Sequence, residues 1–223
     1  MKNLAMNAYR FRPLTTECEF EKAKSIVETQ QFWCSKFIEL NDPMEGVFAT
    51  YDKGISESIF NQKMELSICS FSNRWALRNP AMWGYYAGGM RGLAIEIRVS
   101  CLRKVEYVNH LSVIDGTEQN PEESVLLKKF KSWRKEHEYR FISKVDQNLN
   151  KIGNITGIYF GYPFSDLTNN TSITNNSQKL QQFLILRDRL IDVAQHNKIK
   201  CFNANIDEHG SVKFSPIVVG RVS

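Results

Sequence analysis

The stretch Gly92-Leu93-Ala94-Ile95-Glu96-Ile97-Arg98-Val99 is the clearest structural signal in this sequence. Branched apolar side chains occupy every second position, and small or charged side chains fill the positions between them. Because successive side chains of a β-strand point to opposite faces of a sheet, this period of two predicts a strand over 92–99. The fold is therefore expected to be built around a sheet that contains this segment.

Shorter segments on both sides of it carry the same kind of signal. Strands are predicted over 9–12, 31–38, 65–72, 104–108, 136–145, 157–160, 199–206 and 211–219. Helices are predicted after Thr16, over 53–63, after Asn79, after Asn120 and over 177–197. Strands outnumber helices and do not alternate with them regularly. This favours an α+β fold, with a mixed or mostly antiparallel sheet flanked by helices, over a doubly wound parallel one.

Length and composition are those of an ordinary globular protein, with 223 residues, 42% hydrophobic and 24% charged. We expect a single domain over 1–223, in which 162–223 form a helix and a C-terminal hairpin around the turn at His209-Gly210. Residues 165–177 are rich in Asn, Ser and Thr and are predicted to be a loop.

Net charge and the number and spacing of cysteines limit the partners, disulfides and metal sites to be expected. The net charge of +5 permits a nucleotide or nucleic-acid partner without requiring one. The five cysteines form no C-x-x-C pair, which argues against a disulfide framework and a structural zinc site, so no metal is expected. The sequence has neither a signal-peptide pattern nor an apolar run of membrane-spanning length. A cytoplasmic protein without a membrane partner is therefore expected.

Two of four polar segments lie early in the chain. Arg10 and Arg12 are predicted to share one face of a strand, where two guanidinium groups suit a phosphate clamp or a pair of surface salt bridges. Asn41-Asp42-Pro43 is typical of a tight turn in which side chains accept hydrogen bonds from nearby backbone N–H groups. A loop that closes over a ligand is the alternative for this turn.

The third segment combines hydroxyl groups with aromatic rings. Ser70 and Ser72 stand near the end of a predicted strand, and Trp83, Tyr85 and Tyr86 follow in the next turn. Aromatic rings beside hydroxyl groups suit a flat ring bound next to a sugar. A Trp that faces the core, with Tyr hydroxyls satisfied elsewhere, is the alternative.

The fourth segment holds two carboxylates two residues apart. On a strand, Glu136, Glu138 and Arg140 would share one face, with His137 on the other. Crowded carboxylates raise the proton affinity of one of them, which is a common arrangement for acid–base chemistry or for stabilising a cation. A cross-strand network between glutamate and arginine is the structural alternative.

Five motifs in this order resemble a large bacterial family catalogued as a domain of unknown function, number twenty-nine seventy-one. The resemblance covers about 9–161 and supplies no reaction. The motifs are Tyr9-Arg10-Phe11-Arg12, Leu40-Asn41-Asp42-Pro43-Met44-Glu45-Gly46, Cys69-Ser70-Phe71-Ser72, Met82-Trp83-Gly84-Tyr85-Tyr86-Ala87 with Gly92-Leu93-Ala94-Ile95-Glu96, and Trp133 with Glu136-x-Glu138-Tyr139-Arg140.

The order of an arginine, a Ser-x-Ser and a Glu-x-Glu on successive strands is also similar to the layout of ADP-ribosyltransferases of the Arg-Ser-Glu type. That resemblance implies an NAD-using enzyme, as found among bacterial toxins and phage-defence effectors. Arg12 or Arg10 would hold the pyrophosphate, and Ser70 and Ser72 would support the ribose on the nicotinamide side. The nicotinamide ring would stack on one of three aromatic side chains, Trp83, Tyr85 or Tyr86.

The same resemblance implies that Glu138 hydrogen-bonds the ribose and stabilises the oxocarbenium-like state as nicotinamide leaves. Glu136 would orient the acceptor, which is a protein, a nucleotide or a nucleic acid. The Asn-Asp-Pro turn and the Met-Trp-Gly-Tyr-Tyr segment are not part of this layout and need their own explanation.

Three other functions stay open. A nucleic-acid-binding protein would use the basic run Lys128, Lys129, Lys131, Arg134 and Lys135 beside Trp133 to follow phosphates. A metal-dependent nuclease would in addition need clustered acids, such as Asp42, Glu45, Glu96 and Glu138. A non-enzymatic interaction module is expected if Arg12 and Glu138 prove to be a buried structural ion pair without an adjacent cavity.

Overall fold

A computed structural model describes residues 5–144, 148–163 and 177–218. Most of the loop predicted over 165–177 lies outside the described residues. The six described α-helices are α1 (Glu17–Thr29), α2 (Lys53–Glu65), α3 (Arg74–Leu77), α4 (Pro80–Tyr86), α5 (Pro121–Leu126) and α6 (Gln178–His196). Two 3₁₀ helices cover Phe37–Glu39 and Lys131–Glu136.

The described strands number fourteen, and most are short. The longer ones are β1 (Met6–Pro13), β4 (Ser67–Ser72), β5 (Gly92–Val99), β10 (Glu138–Ser143), β12 (Asn154–Gly161), β13 (Lys200–Ile206) and β14 (Val212–Pro216). The shorter ones are β2 (Phe32–Trp33), β3 (Phe48–Ala49), β6 (Arg103–Lys104), β7 (Glu106–Val108), β8 (Ser112–Val113), β9 (Lys128–Phe130) and β11 (Leu149–Asn150).

The chain divides into two compact units. The first consists of Met1–Gln31, Ser72–Ser100 and Gly153–Ser223, and the second of Phe32–Phe71 and Cys101–Ile152. Each unit is assembled from segments that are distant in sequence. The single domain expected from chain length stays a prediction beside this division.

The first unit is built on five strands in the order β14-β13-β12-β5-β1. Pairing is antiparallel throughout except between β12 and β13, which run parallel. Helices α1 and α6 contact each other, and Arg189 on α6 pairs with Glu17 on α1 at 2.7 Å. The predicted α+β fold, with a mixed, mostly antiparallel sheet flanked by helices, is confirmed.

The strand that decides the fold lies inside this sheet, with β1 on one side and β12 on the other. All of its residues except Arg98 are buried, so both of its faces are covered rather than one. Leu93, Ile95 and Ile97 are fully buried, whereas the other face carries Glu96, which is 9% exposed. A buried carboxylate on a central strand is the first unusual feature of this unit.

Local signals placed several element ends correctly. The capping box of Thr16 and Glu19 starts α1, and Asn79 caps α4 by accepting from the amide of Ala81 at 3.0 Å. The C-terminal hairpin is present as β13 and β14, which pair antiparallel. Asn120 precedes α5 as expected, but it lies at φ 52° and its side chain makes no capping hydrogen bond.

The second unit contains β4, β10 and β6 in that order, together with three two-stranded pairs. A hydrophobic cluster of Phe37, Leu66, Ile68 and Leu126 packs inside it. The strand expected over 31–38 is only the two residues of β2, because the chain enters a 3₁₀ helix at Phe37. This unit has fewer long strands than the first, and much of its interior is polar.

Candidate functional site

The segment that enters β10 differs from its predicted form. Lys131–Glu136 form a 3₁₀ helix, His137 follows in the left-handed region at φ 45°, and the strand begins only at Glu138. Glu136 therefore does not share a strand face with Glu138, and the prediction of a strand from 136 is wrong at its start. The reversal at His137 nevertheless brings both carboxylates to the same lysine.

Lys129 is that lysine, and it lies inside the unit rather than on its surface. Its Nζ donates to Glu136 at 2.6 Å and to Glu138 at 3.1 Å, and it lies 4.8 Å from the centre of the Trp133 ring. Burial alone would lower the pKa of Lys129, but the two carboxylates raise it above its ordinary value. Lys129 is therefore a fixed internal cation and not part of a phosphate-binding surface.

Arg140 is the second internal cation and is 1% exposed. Its guanidinium donates through both Nη atoms to the carboxylate of Glu45, and Nη2 reaches Glu45 Oε2 at 2.9 Å. Its Nε donates to Glu138 Oε1 at 2.7 Å, and its Nη1 also donates to the carbonyl of Leu126 at 2.5 Å. A planar guanidinium held by two carboxylates and a carbonyl uses its donors in the geometry that suits it best.

The Asn41-Asp42-Pro43 turn has a structural task, since it delivers Glu45 to Arg140. Asp42 is buried, and its Oδ1 accepts from the amide of Met44 at 2.9 Å, while Asn41 and Pro43 are exposed. The turn is therefore closed by its own side chain, as the local pattern predicts.

A third cation stands beside Glu45. Lys63 is 5% exposed, donates to the carbonyl of Gly46 at 2.8 Å and lies 4.4 Å from the centre of the Phe37 ring. Burial lowers the pKa of Lys63, and the nearby charge of Glu45 opposes that effect. We call Glu45, Lys63, Lys129, Glu136, Glu138 and Arg140 the charged network. Its three carboxylates and three cations balance.

Glu138 is the centre of the charged network. Burial alone would raise its pKa, but Arg140, Lys129 and a hydrogen bond from the Ser70 side chain together hold the pKa well below its ordinary value. Crowding with Glu136 does not raise the pKa of Glu138, because the two cations neutralise the repulsion. The Ser70 contact brings Ser70 and Glu138 together within this unit.

The remaining predicted site residues lie in the first unit. Ser72 is 6% exposed and pairs across from Tyr9, while Arg10 and Arg12 share the opposite face of β1, across from Ile95 and Leu93. Their shared face agrees with the strand geometry expected from the sequence.

Trp83, predicted as a stacking residue, is fully buried. Its indole Nε1 donates to the carbonyl of Leu77 at 2.8 Å, and its ring meets Phe11 edge-on at 5.4 Å. Tyr85 is 82% exposed and its ring centre lies 6.5 Å from that of Tyr86. In this arrangement Trp83 fills the core, and only the two tyrosines of this segment present ring surface outside it.

Glu96 forms a second polar centre, which the sequence pattern did not single out. Its Oε1 accepts from Asn7 Nδ2 at 2.7 Å and from the Tyr9 hydroxyl at 2.9 Å. The Tyr159 ring lies 5.9 Å from that of Tyr9 and stacks on Phe202 at 4.7 Å. We call Asn7, Tyr9, Glu96, Tyr159 and Phe202 the Glu96 cluster.

The pKa values of Tyr9 and Tyr159 are raised by burial and, to a smaller extent, by the negative charge of Glu96. Burial is the larger cause that raises the pKa of Tyr9, and Glu96 adds to it. Burial and Glu96 together raise the pKa of Tyr159 to about 12. The sequence marks Glu96 only as one possible metal ligand, because it does not show that β1, β5 and β12 bring these side chains together.

Two open clefts lie within the second unit. One of about 690 Å³ is lined by residues that include Asp52, Ile59, Gln62, Asn120 and Lys144. Another of about 340 Å³ is lined by residues that include Lys104, Glu106, Glu123 and Lys128. Neither contains a member of the charged network.

Within the described ranges, no group of three or more His, Cys, Asp or Glu residues is arranged to hold a metal ion. Of the acids named for a nuclease, Glu45 and Glu138 are joined through Arg140 instead. Among the helices that the structure describes, none combines the length and apolar character needed to cross a membrane.

Comparison with known proteins places no constraint on identity. No protein-family model, no curated protein and no solved structure matches this chain. The resemblances drawn from the sequence motifs therefore stay predictions.

Proposed function

We propose that this protein is an NAD-dependent enzyme of the ADP-ribosyltransferase type. The observation that carries the proposal is the hydrogen bond from the Ser70 side chain to the carboxylate of Glu138. These are the Ser-x-Ser and Glu-x-Glu segments of the Arg-Ser-Glu order, and they come from positions 68 residues apart in the sequence. Their meeting on the neighbouring strands β4 and β10 supports the proposal.

Glu138 has the properties that the chemistry requires. In the proposed reaction the bond between the ribose anomeric carbon and the nicotinamide nitrogen breaks. The bonding electron pair leaves with nicotinamide, and positive charge develops on the ribose. An acceptor oxygen or nitrogen then attacks that carbon and loses a proton. A carboxylate that is already ionised and fixed stabilises the developing charge without reorganising. The low pKa and the three partners of Glu138 supply both conditions.

The charged network also assigns a task to Glu136. Lys129 lies closer to Glu136, at 2.6 Å, than to Glu138 Oε2, at 3.1 Å. Glu136 therefore holds Lys129, and Glu138 Oε2 is the carboxylate oxygen with the longer contacts, since Arg140 Nη2 lies 3.2 Å from it. In the proposed enzyme a ribose hydroxyl replaces the contact between Lys129 and Glu138, and Glu136 keeps the lysine in place.

Calorimetry with NAD and an assay of nicotinamide release test the proposal on the full chain. Glu138→Gln is expected to bind NAD but to lose about 100-fold or more in release, the usual loss when a transition-state contact is removed. Glu106→Gln, an exposed carboxylate of the same unit, is the matched control and should release nicotinamide like the wild type.

Because Glu138→Gln leaves Arg140 and Lys129 short of an anion, Ser70→Ala is the second variant. It keeps the charged network and should lower the rate of release with little change in NAD affinity. Wild-type protein that neither binds NAD at about millimolar concentration nor releases nicotinamide would overturn the proposal.

One observation favours a second candidate, the binding of nucleic acid by the second unit. Lys131, Arg134 and Lys135 are exposed on one 3₁₀ helix, where residues three apart lie on the same side. Phosphate binding by this surface would weaken steeply with salt. If Lys131→Ala with Arg134→Ala leaves both RNA and DNA affinity and their salt dependence unchanged, this candidate fails.

A further inference from the structure

The carboxylate of Glu96 is buried, and no cation of the described residues neutralises it. Glu96 is 9% exposed, and its hydrogen bonds come from the neutral donors of Asn7 and Tyr9. Among the residues that the structure describes, no lysine, arginine or histidine lies within ion-pairing distance of it. A buried charge in this setting is costly unless a partner compensates it. The described residues therefore leave the negative charge of Glu96 uncompensated, whereas the carboxylates of the charged network are paired with cations.

Two cations on neighbouring positions of the sheet, Arg98 and Lys200, make no ion pair with Glu96 in the described structure. Arg98 lies two residues from Glu96 on the same face of β5, but its Nη1 donates to Asn7 Oδ1 at 2.9 Å rather than to the carboxylate. Lys200, across from Gly157 on β13, is exposed and makes no salt bridge to Glu96 in the described structure. Asn7 thus lies between the arginine and the carboxylate. It accepts a hydrogen bond from Arg98 and donates one to Glu96 Oε1.

The two carboxylate oxygens are not equivalent. Both hydrogen bonds from Asn7 and Tyr9 fall on Oε1, and no donor from the described part of the chain reaches Oε2. The fully enclosed polar atoms without a partner in that part of the chain include Ser67 Oγ, Asn203 Oδ1 and Asn205 Oδ1 but not Glu96 Oε2. Among the described residues, Oε2 is therefore an acceptor to which no side chain or backbone group donates.

A glycine lets this oxygen lie close against the backbone of β12. Gly157 lies directly across from Glu96 on β12, and a Cβ built there would stand 3.0 Å from Oε2 and 3.4 Å from the Phe202 ring. The carboxylate lies over the glycine and beside the ring, in space that any other residue would occupy. The half-buried rings of Tyr159, Phe202 and Phe214 pack together along this face.

We propose that the Glu96 cluster is a binding site for a primary ammonium group carried on an apolar or aromatic body. One unused oxygen accepts one N–H, which suits an ammonium better than the paired donors of a guanidinium or a guanine, because these need both carboxylate oxygens. The surrounding rings attract a cation through their faces and cover its apolar body. This inference is independent of the proposed NAD chemistry, since it uses no residue of the charged network.

The test is a titration of the full chain with phenethylammonium chloride, followed by amide NMR shifts and calorimetry. We expect saturable binding with shifts at Gly157 and its neighbours on β5 and β12. Phenethyl alcohol, which lacks the charge, and phenyltrimethylammonium, which lacks N–H donors, should bind about tenfold more weakly or worse, the loss expected for one charge-assisted hydrogen bond.

Two variants make the test specific. Glu96→Gln keeps an acceptor for Asn7 and Tyr9 but removes the charge, and Gly157→Ala places a methyl group against Oε2; each should weaken phenethylammonium binding about tenfold or more. Glu28→Gln, an exposed carboxylate on α1, is the matched control and should bind like the wild type. Equal affinity of wild type and Glu96→Gln, or equal affinity for the charged and neutral probes, would overturn the proposal.

Discussion

The two units bury a glutamate in opposite ways. Glu138 receives hydrogen bonds from Arg140 and Lys129, so its charge is neutralised inside the second unit. Glu96 receives hydrogen bonds from Asn7 and Tyr9, which carry no charge, and one of its oxygens is unused among the described residues. A carboxylate paired with cations is held ionised and in place by the fold, whereas a carboxylate held by neutral donors has a charge that the described side chains do not compensate.

Arg140→Met tests the carboxylates that are neutralised by cations, and it has the largest expected effect on stability. The substitution leaves Glu45 and Glu138 buried without their shared cation, which should lower the free energy of unfolding by about 3–5 kcal/mol. Urea denaturation measures it, with Arg134→Met, an exposed arginine of the same unit, expected within about 0.5 kcal/mol of wild type. A loss below about 1 kcal/mol for Arg140→Met would contradict a tightly coupled network.

Glu138→Gln should lower stability by about 3 kcal/mol at neutral pH, because Arg140 and Lys129 lose an anion. Since the folded-state pKa of Glu138 is depressed, its stabilisation is complete above the ordinary carboxyl pKa. The stabilisation is lost as pH falls from there towards the folded pKa, with a slope of at most about 1.4 kcal/mol per pH unit.

Unfolding measured from pH 7 downward should therefore show a shallower acid-side slope in Glu138→Gln than in wild type. Ser70→Ala retains the carboxylate and both cations and should keep most of the slope. An unchanged slope in Glu138→Gln would assign the acid dependence to other groups.

Tyr9→Phe tests the neutral donors of the Glu96 cluster. Loss of the hydroxyl leaves Asn7 as the remaining donor to Oε1, and stability should fall by about 1.5 kcal/mol. Tyr159→Phe is the matched control, since the described contacts of Tyr159 are ring contacts and no hydrogen bond joins it to Glu96. Thermal unfolding of the pair should therefore separate them, and equal losses would mean that ring packing dominates.

Glu96→Gln should have the smallest effect on stability and sharpens the comparison most. The amide oxygen still accepts from Asn7 and Tyr9, and the buried uncompensated charge is gone, so the change should lie within about 1 kcal/mol of wild type in either direction. Measured beside Glu138→Gln in the same denaturant series, it should be clearly more stable. Similar losses in both variants would show that Glu96 is also held by a cation.

Much of the fold could be predicted from local signals. The strand 92–99, the capping box at Thr16, the helix over 177–197 and the C-terminal hairpin all follow from periodicity and caps, which depend on neighbours in sequence. Predictions failed where tertiary contacts override local pattern. Glu136 reads as the start of a strand, but the backbone turns at His137 and the glutamate reaches Lys129 instead.

The candidate site was only partly visible for the same reason. Glu138 and Ser70 could be selected because short polar motifs carried them, and the structure adds the hydrogen bond between them. Glu45 was present only as part of a turn motif, and nothing in its neighbourhood shows that it faces Arg140, which lies 95 residues away. Asn7 and Tyr159 carried no signal, since their relation to Glu96 exists only through strand register.

By itself the sequence determined the α+β class, the central strand and the turn that presents Glu45, because these depend on side-chain periodicity and on hydrogen bonds between near neighbours. Only the tertiary structure decided which buried carboxylate is neutralised and which is not. Charge compensation depends on distances between side chains from separate strands and loops, and those distances are set when the strands pair.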